Sequence, residues 1–286
     1  MGRGRFSVMH LPTSPGPIGV FDSGYGGLTI LDAIRRHLPE YDYLYLGDNA
    51  RAPYGSRSFE LVYTFTRQAV YKLFEMGCHL IILACNTASA KALRSIQQHD
   101  LPLWDKERRV LGVIRPTVEA LGSVTHNGHV GILATEGTIR SESYAIEIRK
   151  MYPQMKVSGE ACPFWVPLVE YGEVDSEGAD YFVRKRIGNI LSKDPLIDTL
   201  ILGCTHYPLL LPKIELFAPT GTHIMAQGMH VAKSLQQYLL RHPEMDARCT
   251  RGSRTHYLTT EQPETFQTHA HTFLRTDVRA EHIDLE

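Results

Sequence analysis

The chain has 286 residues, of which 43% are hydrophobic and 21% are charged, and its formal net charge is -1. This length and composition allow one or two domains with well-filled cores, and the balanced charge gives no reason to expect nucleic acid or an anionic membrane as a partner. The five cysteines have neither disulfide-framework nor zinc-site spacing, so we predict free thiols, no metal site and a reducing, cytoplasmic location.

The beginning of the chain predicts a strand and a helix joined by a glycine-rich turn. Residues 1–16 are broken by Pro12 and Pro15 and have no continuous apolar core, so they are predicted to be a flexible lead-in, neither signal peptide nor membrane anchor. The turn at residues 22–27 matches no phosphate-binding motif, and Asp22 would repel a phosphate. Asp22 suits the ammonium group of a small zwitterion or a nearby thiol. The alternative is a tight turn in which Asp22 or Ser23 caps the helix.

A polar loop follows the strand predicted over residues 43–46. Residues 47–55 contain a carboxylate, a guanidinium, the phenol of Tyr54 and free backbone amides such as that of Gly55. This set of groups suits the binding of an amino acid. Taken alone, such a loop is more often polar surface.

Cys85 stands where a short apolar strand meets a helix. The run Leu80–Leu83 is too short for a helix, and a helical pattern begins after Asn86 and Thr87. We therefore expect Cys85 to be half exposed beside the positive end of the helix, which would lower its pKa and favour the thiolate. The alternative is a buried and inert cysteine.

The second half of the chain is predicted to begin at Pro116. Thr135 and Thr138 flank a turn between a strand and a helix, where their hydroxyls either cap the helix or bind a ligand carboxylate. Glu170 closes an apolar segment in which burial would raise its pKa. From the residues alone, we interpret Glu170 as an exposed residue at the start of a turn.

Cys204 repeats the arrangement of Cys85. An apolar strand over residues 200–202 is followed by Gly203, Cys204 and then Thr205 and His206. A histidine at this position can hold a proton or pass it to the thiol, whereas a loop histidine taken alone is usually polar surface. Two thiols facing each other across a cleft suit one reaction class, in which a proton leaves one face of a carbon and another returns to the opposite face.

The two cysteine turns indicate a two-domain molecule. We predict a first domain formed by residues 17–114 and 222–286 and a second domain formed by residues 115–221. The return to the first domain is expected through a strand at 223–226, and the tail is expected to add strands at 255–259 and 278–285.

Five motifs resemble the bacterial glutamate racemase family, in its order. They are FDSGYGGLT at 21–29, GDNARAPYG at 47–55, ACNTAS at 84–89, VPLVE at 166–170 and GCTHYPLL at 203–210. The resemblance covers roughly residues 17–240. Aspartate racemases also carry paired cysteines at strand ends, but the Thr-His-Tyr-Pro sequence after Cys204 is similar to the glutamate branch.

The resemblance implies an α/β fold with two similar domains, mainly parallel sheets and an active site in the cleft between them. It further implies a homodimeric, cytoplasmic isomerase that interconverts L-glutamate and D-glutamate without a cofactor and supplies D-glutamate for peptidoglycan. Cys85 and Cys204 would act from opposite faces of the α-carbon. Asp22 would support the first thiol, and Glu170 and His206 would support the second.

The resemblance also implies the residues that hold the substrate. They are Asp22, Ser23, Tyr54, Gly55, Asn86, Thr87, Thr205 and His206. Asp48 matches a family acid whose role is less settled. Asn49 and the segment 225–228 depart from the family pattern outside the matched catalytic residues, and the tail after residue 240 is longer than the family requires. A racemase for aspartate or another amino acid, a non-catalytic amino-acid sensor and a dithiol redox protein stay as alternatives.

Overall fold

The computed structural model describes residues 11–285 and contains two parallel β-sheets with helices packed around them. The strands are β1 (Ile18–Asp22), β2 (Tyr43–Gly47), β3 (Leu80–Leu83), β4 (Arg109–Gly112), β5 (His129–Ala134), β6 (Lys156–Ala161), β7 (Thr199–Gly203), β8 (His223–Met225), β9 (Thr255–Thr259) and β10 (Ala280–His282). The helices are α1 (Leu28–His37), α2 (Phe59–Glu75), α3 (Asn86–Lys91), α4 (Leu93–Ser95), α5 (Leu101–Trp104), α6 (Ile114–Glu119), α7 (Glu136–Arg140), α8 (Ser143–Met151), α9 (Trp165–Glu170), α10 (Glu177–Lys193), α11 (Leu211–Phe217), α12 (Gly228–Arg241), α13 (Pro243–Asp246) and α14 (Pro263–Leu274).

The first sheet has the strand order β10-β9-β2-β1-β3-β4. Its central strand β1 is buried along its whole length, and its side chains alternate between two cores. Val20 packs into the core on one face of the sheet and Phe21 into the core on the other. Burial on both faces explains why the inner strands β2 and β3 of this sheet are continuous apolar runs.

The second sheet has the strand order β6-β5-β7-β8, and all of its strands are parallel. The prediction of an α/β fold with two parallel-sheet domains is thus confirmed. Ligands of open α/β sheets bind outside the carboxyl ends of the strands. Here β1 ends at Asp22, β3 leads into Cys85 and β7 leads into Cys204.

One predicted boundary between the domains is wrong. The strand at 223–225 does not lead back into the first sheet but pairs with β7 of the second, with His223 beside Thr199. The chain returns to the first domain only afterwards, through α12, which packs against α1. Because β8 follows α11 directly, it completes a crossover to its own sheet before the chain leaves that domain.

Both ends of the described chain pack on the first domain. The tail supplies β9, which pairs with β2, and β10, which pairs with β9. Part of the predicted flexible lead-in is anchored, because the carbonyl of Pro12 accepts a hydrogen bond from Arg108 and that of Ser14 lies 2.8 Å from the His79 ring. Residues 1–10 of that prediction lie outside the described residues. No helix in residues 11–285 combines the length and apolar character that crossing a bilayer requires.

Candidate active site

A cavity of about 180 Å³ lies between the two domains at the carboxyl ends of their strands. It is smaller than the roughly 300–1,000 Å³ typical of pockets for drug-sized ligands, so it suits a molecule with few atoms. Most of the predicted site residues line it, namely Ser23, Tyr54, Gly55, Cys85, Asn86, Thr87, Glu170, Cys204, Thr205 and His206. Both thiols therefore face one cavity, each contributed by a different domain.

Cys85 caps the amino end of α3. Its sulfur accepts a hydrogen bond from the Ala88 amide at 3.4 Å and lies 3.2 Å from the hydroxyl oxygen of Ser23. Its side chain is only 6% exposed, so the expectation of a half-exposed cysteine is wrong. The thiol is instead packed into a core of the first domain, in the same cluster as Phe21 and Tyr54.

The pKa of Cys85 also differs from the expectation. Burial and the negative charge of Asp22 raise the pKa of the thiol to about 12, although hydrogen bonds from Ser23 and Ala88 act in the opposite direction. The predicted lowering is therefore wrong for this structure. A group that brings positive charge close to Asp22 and Cys85 would be needed to stabilise the thiolate.

Cys204 stands at the start of a relay of polar groups. Its sulfur lies 3.9 Å from Nδ1 of His206, and Nε2 of His206 lies 2.9 Å from Oε1 of Glu170 at the end of α9. His206 is 6% exposed, so it is not the polar surface residue that a loop histidine taken alone would be. The Glu170 side chain is 28% exposed, partly as expected of a residue before a turn, and directs its carboxylate toward the imidazole.

The surroundings of His206 favour its charged form. Burial alone would lower its pKa, but the hydrogen bonds and negative charges of Cys204 and Glu170 outweigh burial and raise the pKa of His206 to about 10. At neutral pH these interactions keep the imidazole protonated beside the sulfur of Cys204.

This raised pKa predicts that stability depends on pH. Between pH 6.5 and about 10 the folded chain keeps a proton on His206 that the unfolded chain has released. The free energy of unfolding should thus fall as the pH rises, by up to about 1.4 kcal/mol per pH unit, with the full contribution present below pH 6.5. Denaturant unfolding of the wild type and of His206→Asn across this range measures the effect. We expect the difference in free energy of unfolding between the two proteins to become smaller as the pH rises. A difference that does not change with pH would contradict the raised pKa of His206.

Asp22 lies behind the cavity lining and is 1% exposed. Its Oδ1 accepts a hydrogen bond from the Gly24 amide at 2.8 Å, whereas its buried Oδ2 has no partner among the described residues. Burial raises the pKa of Asp22, which the charge of His206 and the amides of the turn only partly offset. A buried carboxylate oxygen without a partner, next to a thiol, is well placed to receive a cation or a proton.

Asp48 organises the loop that carries Tyr54. The Tyr54 hydroxyl donates to Asp48, which also pairs with Arg51 at 2.8 Å and accepts from the Thr260 hydroxyl at 2.9 Å. Asp48 is fully buried and is not part of the cavity lining. It therefore positions Tyr54 and ties the loop to the C-terminal segment.

Hydroxyl groups from both domains meet at the cavity. The Thr87 hydroxyl lies 3.0 Å from that of Thr135, and the Gly55 carbonyl accepts a hydrogen bond from the Gly137 amide at 2.8 Å. Thr135 caps α7 by accepting from the Thr138 amide, as predicted, and it also lines the cavity. Residues 11–285 contain no group of three or more His, Cys, Asp or Glu side chains placed to hold a metal ion.

Comparison with known proteins identifies the family. Residues 28–230 match the family model described as Asp/Glu/hydantoin racemase. The chain belongs to the Asp/Glu/hydantoin racemase family. The glutamate racemase of Ruegeria sp. (strain TM1040) is 38% identical over 274 residues, which cover 92% of this chain and 98% of the relative.

Solved structures of this racemase family agree. Glutamate racemase isoform RacE1 of Bacillus anthracis superposes with a TM-score of 0.84 at 32% identity, covering 96% of this chain and 98% of that chain. The glutamate racemase of Francisella tularensis, solved in complex with D-glutamate, superposes with a TM-score of 0.84 at 30% identity. The superposition covers 95% of this chain and 98% of that chain. The resemblance seen in the motifs is confirmed, and the chain is an isomerase.

The comparison with the Ruegeria relative also bears on the tail. Since 92% of the chain aligns with that relative, part of the segment from Arg241 to Glu286 is shared with it. The match to the family model ends at residue 230, so the expectation that the tail exceeds what the family requires stays a prediction. In this chain β9 and β10 of the tail complete the first sheet.

Sequence reasoning missed one residue next to the site. Gln227 lies in the segment that departs from the family pattern, and its Oε1 accepts a hydrogen bond from the Asn86 side chain at 2.6 Å. The departure was expected to lie apart from the matched catalytic residues, yet it contacts a predicted substrate-binding residue. The glutamine at residue 227, which departs from the family pattern, was the feature of the sequence that could have pointed to this contact.

Proposed function

We propose that this enzyme interconverts L-glutamate and D-glutamate, with Cys85 and Cys204 as the two acid–base groups. The observation that carries the proposal is that both thiols line one small cavity from different domains. The names of the relatives support glutamate as the substrate, and the Francisella tularensis relative was solved with D-glutamate bound.

The proposed reaction moves one proton off the α-carbon and another onto it. The thiolate of one cysteine removes the α-proton from one face, and the thiol of the other cysteine donates its proton to the opposite face. The first cysteine ends as a thiol and the second as a thiolate, so the reverse reaction uses the same groups with their roles exchanged.

The two thiols have different support. The ammonium group of a zwitterionic substrate beside Asp22 would place a positive charge near Cys85 and lower the pKa of that thiol from about 12. On the other side, the positive charge of the protonated His206 stabilises the thiolate of Cys204. Glu170 holds the imidazole in place through Nε2.

Stabilisation of the transition state falls to hydrogen-bond donors around the cavity. As the α-carbon loses its proton, negative charge spreads into the substrate carboxylate. Donors at Asn86, Thr87 and Thr205 then bind the carboxylate more strongly in the transition state than in the ground state. The proposal needs no pyridoxal phosphate, so the electrostatic demand on these donors is large.

The proposal extends to the cellular role. The five cysteines are all free, which suits the reducing cytoplasm. The family resemblance supports a homodimer and a role in supplying D-glutamate for peptidoglycan. Sedimentation of the purified chain tests the dimer, and rescue of a D-glutamate auxotroph tests the role.

Circular dichroism of each pure enantiomer tests the reaction itself. We expect L-glutamate and D-glutamate each to approach the racemic mixture with the purified enzyme and no added cofactor. Faster conversion of aspartate would overturn the substrate assignment. Binding of glutamate without any loss of optical activity would favour a sensor, and ready formation of a disulfide between Cys85 and Cys204 would favour a redox protein.

A methyl group at Gly26 should disturb the second thiol without unfolding the protein. A Cβ there would lie 2.2 Å from the Thr205 hydroxyl oxygen and 2.4 Å from Nδ1 of His206, so both groups must move. We expect Gly26→Ala to lower kcat/KM by about 100-fold, since small misplacements of catalytic groups have effects of this size. The control is Gly188→Ala within α10, where a Cβ meets no atom within 4 Å. It should leave kcat/KM unchanged and add about 0.5–1 kcal/mol of stability. Equal activity of the two variants would contradict the prediction.

A further inference from the structure

A closed ring of hydrogen bonds connects Asn86 to two residues outside the predicted site. The Tyr144 hydroxyl donates to Oδ1 of Asn86 at 2.7 Å, and Nδ2 of Asn86 donates to Oε1 of Gln227 at 2.6 Å. Nε2 of Gln227 then donates to the Tyr144 hydroxyl at 2.6 Å, which closes the ring. None of the three side chains is more than 3% exposed. In such a buried ring each bond strengthens the others, and losing one leaves buried groups without partners.

Neighbouring groups fix the direction of the ring. The Thr117 hydroxyl donates to the Val113 carbonyl at 2.7 Å, so its oxygen only accepts from the second N–H of Gln227 at 2.9 Å. The Gln227 amide must therefore turn its nitrogen toward Thr117 and its oxygen toward Asn86. The orientation of the Asn86 amide follows, with its nitrogen toward Gln227 and its oxygen toward Tyr144.

This orientation has a consequence at the cavity, because Asn86 follows Cys85 directly and lines the cavity. One N–H of its amide is committed to Gln227, and the second N–H is left to donate to a ligand. The ring also joins the domains beside Cys85, since Asn86 belongs to the first domain and Tyr144 to the second. Gln227 lies where the chain returns from the second domain to the first.

We propose that Gln227 and Tyr144 are positioning residues that hold the Asn86 amide so that its free N–H meets the carboxylate of an amino-acid substrate. The identity of that ligand rests on the racemase function proposed above. The positioning itself rests on the ring and the cavity lining.

A double-mutant cycle tests this role. Gln227→Met removes the hydrogen bonds at similar length, and Tyr144→Phe removes a single hydroxyl. We expect each to lower kcat/KM for glutamate by about 10- to 100-fold, the size of effect that misplaced substrate contacts produce. In the Asn86→Ala background, each of these substitutions should lower kcat/KM by less than a further factor of about two, because both act through the Asn86 amide. Tyr152→Phe is the control, since its hydroxyl donates to the Glu119 carbonyl outside the cavity lining, and it should change kcat/KM by less than about twofold.

The Kd of D-glutamate, measured by calorimetry for the same set of variants, tests the positioning role independently of the proposed racemase function. If the wild type binds D-glutamate but does not racemise it, the proposed racemase function is wrong. The double-mutant cycle measured as Kd then still tests whether Gln227 and Tyr144 position the Asn86 amide. Undiminished effects of Gln227→Met and Tyr144→Phe in the Asn86→Ala background would overturn the positioning role. So would wild-type kcat/KM and Kd in both single variants. Should Gln227→Met fold poorly by thermal unfolding, Tyr144→Phe carries the test alone.

Discussion

Replacing either cavity thiol by a hydroxyl is expected to abolish racemisation in both directions. A serine hydroxyl is a far weaker acid than a thiol, so Cys85→Ser and Cys204→Ser each lack one of the two acid–base groups. Such groups contribute about 10²–10⁴-fold to a rate, and we expect losses at the upper end because neither thiol replaces the other on its own face of the substrate. Initial rates from L-glutamate and from D-glutamate measure the effect.

Cys249→Ser is the matched control for this prediction. Cys249 is 6% exposed, as are Cys85 and Cys204, but its sulfur donates to the Met245 carbonyl and takes no part in the cavity lining. We expect normal turnover in Cys249→Ser and a nearly unchanged Kd for glutamate in Cys85→Ser. Near-normal turnover in Cys85→Ser or Cys204→Ser would refute the two-thiol mechanism. Wild-type activity that disappears when pyridoxal is removed would refute it as well.

The second large effect is expected at Asp22. Asp22→Asn keeps the shape and the acceptor for the Gly24 amide but removes the negative charge beside Cys85. Without that charge the substrate ammonium loses its partner, and the thiol loses a group able to take its proton. We therefore expect kcat/KM for glutamate to fall by about 10²–10³-fold.

The split of this loss between kcat and KM distinguishes the two roles of Asp22. A fall in kcat indicates support of the thiol, and a rise in KM indicates binding of the ammonium group. Asp42→Asn provides the control, because Asp42 is 4% exposed but pairs with Arg254 at 3.2 Å away from the cavity lining. An Asp22→Asn enzyme as active as Asp42→Asn would remove Asp22 from the mechanism.

Local sequence patterns predicted the positions of the two thiols because these positions depend on neighbouring residues. The apolar runs before Cys85 and Cys204 are short enough to be strands, and small or polar residues follow them. The observed strand β3 ends at Leu83, two residues before Cys85, and β7 ends at Gly203, directly before Cys204. The parallel order of the sheets follows from the alternation of strands and helices.

Properties that depend on residues distant in the sequence were not predictable in this way. The exposure of Cys85 was overestimated, because it packs into a core with Phe21 and Tyr54, which lie far away in the sequence. Its pKa was expected to be low for the same reason, since a helix end alone favours the thiolate whereas burial opposes it. Glu170 looked like an exposed turn residue until folding brought it to His206.

The role of the return segment was also hidden from local patterns. The strand at 223–225 is only three residues long, and nothing in its composition indicates which sheet it joins. Gln227 resembles an ordinary polar residue at the start of a helix. Only the packing of three segments around it shows that its amide is buried and fully bonded.

The most direct measurement of the two-thiol mechanism is NMR of L-glutamate in deuterium oxide with the purified enzyme and no added cofactor. Because each thiol serves a single face of the α-carbon, we expect the first D-glutamate formed to carry deuterium at the α-position while the remaining L-glutamate keeps its proton. Early deuterium in both enantiomers would show that one group serves both faces, and no exchange at all would show that the α-proton is never removed. Either result would contradict the mechanism.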